Sequence, residues 1–77
     1  MDTQQFMDTL TTEAQDNLNF ARSEGRNGDS TKENAASAAL DGFAAQVAMT
    51  DYVAMMTELG VERNNFGLVV QVAAALK

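Results

Sequence analysis

The sequence predicts an all-α protein, a small bundle of three to four helices in a single domain over 1–77. Three observations predict it. Apolar residues in the first third of the chain recur at every fourth position, the period of one face of a helix. Proline is absent from all 77 residues, so nothing in the chain forces a helix to stop or kink. A polar, glycine-containing run, Glu24-Gly25-Arg26-Asn27-Gly28-Asp29, then separates the first periodic segment from the next. The helices are expected at about 3–23, 31–49, 51–59 and 65–76.

In the first helix Phe6, Leu10, Ala14 and Leu18 fall on one stripe, with Met7 and Ala21 beside it and Phe20 at its edge. Gln5, Asp8, Thr12, Gln15, Asp16 and Asn19 lie opposite, which makes the helix amphipathic. Asp2 or Thr3 supplies a short oxygen side chain to cap its first free N–H groups. Ser30-Thr31-Lys32-Glu33 reads as a capping box opening the second helix, Ser30 bonding the Glu33 N–H while Glu33 reaches back.

The second helix is alanine-rich. Ala36, Leu40, Phe43 and Val47 form its stripe, and its small residues, Gly42 among them, suit close approach of a neighbouring helix. Continued in phase, that stripe would carry Asp51 into the core, where an unpaired charge is costly. The pattern therefore predicts a break at Thr50, with Thr50 as a new N-cap and Asp51 near the positive end of the helix dipole; a continuous helix over 31–59 is the rival. Tyr52, Met55, Met56 and Leu59 then make a fresh apolar face, which Gly60 closes. Asn64 or Asn65 is placed to cap the last helix. Phe66, Leu68, Val69, Val70, Val72 and Leu76 leave this helix almost no polar face. Such a helix is buried on all sides, so either it is the centre of the bundle or its second face, with Leu68, Val69, Val72 and Leu76, meets another copy of the chain. A homo-oligomer is the expected assembly.

Composition bounds the chemistry. With no histidine and no cysteine, the commonest general base, the usual metal ligands and the Ser-His and Cys-His nucleophile pairs are all missing. No phosphate-binding or calcium-binding loop motif is present. The expectation is a non-enzyme with no catalytic residue, no cofactor and no metal. Eleven acids against five bases, a net charge of −6, argue against phosphate backbones as a direct partner. The first residues have neither the basic start nor the apolar run of a secretory signal, and the longest apolar stretch, 68–76, is far short of a membrane span. A cytoplasmic protein, or one acting in a host's cytoplasm if viral, is expected.

What remains is surface. An acidic face on the first helix, including Asp8 and Asp16, would steer a basic partner. Tyr52, Met55 and Met56 would serve either as an adaptable apolar anchor or as core. The function expected is a protein-binding module, and its partner a protein with a basic, nucleic-acid-binding groove. Compact, acidic chains of this size without motifs resemble in kind the small inhibitors that phages and mobile elements make against host nucleic-acid enzymes and defence systems, anti-CRISPR proteins among them. Two alternatives stand beside it. The spacing of Met55, Leu59, Gly60, Val61, Phe66 and Val69 resembles the apolar pattern of a DNA-binding helix-turn-helix regulator, although Met56 stands where a small residue is expected. A structural or assembly subunit sharing its last helix between protomers is the other.

Overall fold

A computed structural model describes residues 2–28, 30–46, 49–60 and 65–77, with backbone alone for Met49 and Asn65. Four helices follow in order: α1 (Thr3–Ser23), α2 (Thr31–Ala44), α3 (Met49–Glu58) and α4 (Asn65–Ala74). No strand occurs among the described residues. The molecule is a short rod of 38 × 19 × 18 Å.

α1 forms as its sequence dictates. Asp2, in extended backbone, accepts the Gln5 N–H at 2.8 Å, and the Gln5 side chain accepts the Asp2 N–H at 3.1 Å. This reciprocal pair satisfies two of the donors that a helix start leaves open. At the other end Gly25 takes φ 83°, a conformation that costs other residues a Cβ clash. Its N–H then bonds the Arg22 carbonyl and that of Arg26 the Ala21 carbonyl, the two bonds of a Schellman stop.

The entrance to α2 differs from expectation. Ser30 adopts helical backbone (φ −84°, ψ −1°) and makes no side-chain cap bond. An N-cap needs extended backbone to fold its oxygen over the following N–H groups. The chain instead enters through a tight turn in which the Thr31 N–H bonds the Gly28 carbonyl at 3.0 Å. α2 also ends at Ala44, before the predicted 49, and α3 begins at Met49, so Thr50 lies within the first turn of α3. Val47 lies outside the described residues. The aromatic core accounts for the early break. Phe6 meets the rings of Phe43 (5.1 Å, 81°) and Tyr52 (6.2 Å, 75°) edge-on. One ring can receive both only if the chain turns between residues 43 and 52. Each such pair contributes about 0.5–1.5 kcal/mol beyond area burial. Asp51 does lie in the first turn of α3, and Gly60 (φ 79°) follows that helix as expected.

α1 and α2 pack as an antiparallel hairpin, and α4 packs against both. The Lys32 ammonium bonds the Leu76 carbonyl (3.3 Å), while Phe66 and Val69 lie beside Leu40 and Asp41, so α4 runs antiparallel to α2. The Lys77 N–H donates to the Gln15 side chain at 2.8 Å, tying the C-terminal end to α1. α3 crosses the N-terminal end of α1. One core results: Phe6, Leu10, Ala14 and Leu18 from α1, Ala35, Ala36, Ala39, Leu40 and Phe43 from α2, Tyr52, Met55 and Met56 from α3, and Leu68, Val69, Val72, Ala73 and Leu76 from the end of the chain. No buried side-chain polar atom among the described residues lacks a partner.

Of the two readings of the last helix, the central one is corrected. Leu68 and Val72 are fully buried, but Phe66 is 65% and Val70 43% exposed. Two helices can cover only one side of a third, and the chain itself leaves the far side of α4 uncovered. Gly42 is corrected too: a Cβ built there meets no described residue within 4 Å, so no described helix approaches closely at that point.

Candidate functional site

The proposed steering residues Asp8 and Asp16 are both exposed on α1. They are not one cluster, since eight residues at 1.5 Å rise separate them by about 12 Å. Asp8 accepts a bond from the Gln4 amide at 2.9 Å. The proposed anchor, Tyr52, Met55 and Met56, faces inward at 8% exposure or less and belongs to the core. Burial pushes the Tyr52 hydroxyl above its ordinary pKa, and the nearby Asp41 carboxylate adds to the shift. Leu68, Val69, Val72 and Leu76, the expected oligomer surface, are likewise committed to the chain's own interior. Of the two roles open to that face, the fold adopts the intramolecular one.

The fold assembles a surface that the linear sequence scatters. Asp2 caps α1, and α3 lies across that end, so Asp2, Asp51 and Glu58 line one cleft with Thr3, Ala54 and Met55. Asp41, at the C-terminal part of α2, lines the groove between α2 and α4 and is near enough to Tyr52 to raise its pKa. Asp8 stands on the adjoining turns of α1. Among the described residues no lysine or arginine accompanies them there. The described cations gather at the opposite end: Arg22 and Arg26 close α1, Lys32 opens α2, and Lys77 lies beside Gln15. Two of these are occupied within the chain, Arg26 by Glu24 and Lys32 by the Leu76 carbonyl. Glu13, Asp16, Glu24 and Glu33 match these four cations in number. Among the described residues the charges therefore balance near the α1–α2 turn and are negative at the α3 end.

Among the described residues no group of three or more carboxylates is disposed to hold a metal ion. No described helix is long and apolar enough to cross a membrane. The helix-turn-helix pattern finds uneven placement. Phe66, an inner position in the pattern, stands in solvent; Val61 lies outside the described residues.

Two exposed side chains were under-read in the sequence. Phe20, placed at the edge of the α1 stripe, is 64% exposed, and Phe66 is as open. Both border grooves along α2. No protein-family model, curated protein or solved structure matches the chain.

Proposed function

We propose that this protein is a non-enzymatic binding module that captures a basic protein surface and blocks it, in the manner of a small acidic inhibitor directed at a nucleic-acid-handling or defence protein. One observation supports this above the others: Asp2, Asp51 and Glu58 line one cleft where α3 meets the start of α1, with no described cation lining it. Clustered charge of one sign raises the rate at which an oppositely charged partner is captured and makes that rate salt-sensitive. A groove built to hold nucleic acid carries the complementary charge. The regulator alternative has less support, because the outward side of α4 offers Phe66, Val70 and Gln71 where base edges need several polar side chains.

The test is capture from a lysate of the source cell or its host on the immobilised protein at low salt, beside the variant Asp51→Lys/Glu58→Lys. Both positions are exposed, so the fold is expected to persist by circular dichroism. A basic protein retained by the wild type, released by salt and missed by the variant supports the proposal. Equal retention by the two removes the acidic end from the binding site. A gel shift of mixed-sequence DNA by the protein alone would favour the regulator instead.

A further inference from the structure

The acidic end explains attraction but supplies no apolar anchor, and interface energy usually concentrates in a few buried aromatic contacts. Three of the five aromatic residues, Phe6, Phe43 and Tyr52, are buried, while Phe20 and Phe66 stand about two-thirds exposed. They flank the same helix. Phe20 borders a groove between α1 and α2, with Asn17, Asn34 and Ala38, of about 270 Å³. Phe66 borders a groove between α2 and α4, with Asn34, Ser37 and Asp41, of about 340 Å³. Asn34 lines both. Ligand pockets of such volume enclose their ligand; these two are open grooves, each with room for an apolar side chain. The ridge between them is Ser37 and Ala38, low enough for another helix to lie across it.

Resting on the reading of the chain as a protein-binding module, we propose that a basic amphipathic helix of the partner docks across the outer face of α2, with one apolar side chain beside Phe20 and another beside Phe66. Grooves on the two sides of one helix are about one helix diameter apart, ~10 Å, the rise of seven residues along an incoming helix. Charge complementarity selects the occupant. Glu33 and Asp41 line the second groove, and Asp16 lies one turn before Phe20 on α1. Arg26, at the rim of the first groove, is already paired with Glu24. Lysines or arginines on the half of the incoming helix that lies along the second groove meet Glu33 and Asp41. A second copy of this chain would bring acid-rimmed faces together at a charge of −6 each, which opposes self-docking.

The probe is a synthetic leucine–lysine peptide with its leucines on one helical stripe, titrated into the isotope-labelled protein and followed by NMR amide shifts. The control peptide has the same lysines with alanine in place of leucine. The expected shifts centre on Phe20, Asn34, Ala38 and Phe66, the control binds at least about ten-fold more weakly, and Phe20→Ser/Phe66→Ser weakens the leucine peptide by a similar factor with an unchanged unfolding midpoint. Equal binding of the two peptides, shifts confined to the acidic end, or a double variant that binds as wild type would each overturn the proposal. So would sedimentation equilibrium giving a dimer that the double variant dissociates, which assigns the face to a second copy. If the double variant still captures its basic partner and Asp51→Lys/Glu58→Lys does not, only the docking face is wrong and the module reading stands.

Discussion

α1 and α4 bury stripes of the same kind for opposite reasons. α1 has 21 residues, four of them fully buried at spacings of four, and its remaining faces are largely polar apart from the exposed Phe20. There the polar residues bond along the helix, Gln4 to Asp8 and Gln15 to Asn19, as residues one turn apart can. α4 has ten residues, and polarity hardly distinguishes its inner from its outer side. Its orientation is set by α1 and α2, which take Leu68 and Val72 and leave Phe66 and Val70 outside. A helix whose own pattern selects its buried side leaves little apolar surface, here Phe20 alone. A helix whose neighbours select it is left with more, Phe66 and Val70, and the two helices each supply one phenylalanine to the docking face proposed above.

Substitutions along α4 break this comparison most sharply. Leu68→Ala removes a fully buried side chain and is expected to cost about 2–5 kcal/mol, as is Leu10→Ala on α1. Val70→Ala, two residues from Leu68 but turned outward, is expected to change stability by no more than about 0.5 kcal/mol. Urea unfolding of the three variants checks this; equal losses at 68 and 70 would mean that α4 is covered on both sides.

The caps come next in size. Asp2→Ala breaks a bond that is formed and is expected to cost about 1 kcal/mol. Ser30→Ala breaks no side-chain cap bond and is expected to be nearly neutral. Thermal unfolding of the pair separates the two helix starts, and a loss at Ser30 matching that at Asp2 would restore the capping box read from the sequence.

The smallest effect is a gain. Gly42 lies inside α2 at ordinary helical φ, and a methyl group added there would meet no described residue within 4 Å. Gly42→Ala is therefore expected to stabilise by about 0.5–1 kcal/mol through lower unfolded-chain entropy. A loss, read by the same urea titration, would place a neighbour against that side of α2.

Much of this fold was legible in the chain because it depends on neighbours within one helical turn. The stripe of Phe6, Leu10, Ala14 and Leu18 and the stop at Gly25 appear where the pattern places them, whereas Tyr52, Met55 and Met56, read as a surface anchor or as core, are core. The Ser30 motif misled because its residues suit a cap but the turn through Gly28 rotates Ser30 out of the backbone conformation a cap requires. The break between α2 and α3 was foreseen from Asp51 but placed too late, since its position depends on Phe43 and Tyr52 converging on Phe6. Of the candidate site, Asp8 and Asp16 were legible as exposed acids. Phe20 and Phe66 were seen as apolar but not as exposed.

By itself the sequence determined that this protein is helical, acidic, without histidine or cysteine chemistry, and divided near residues 24–30. Helical period, composition and glycine conformation are local or additive, so they need no knowledge of the fold. Only the tertiary structure decided which side of α4 is buried, that Asp2, Asp51 and Glu58 share one end, and that Phe20 and Phe66 flank the same stretch of α2. These depend on how the hairpin and the crossing of α3 bring distant positions together. Pairings between segments so far apart in the chain leave no periodic trace in either one.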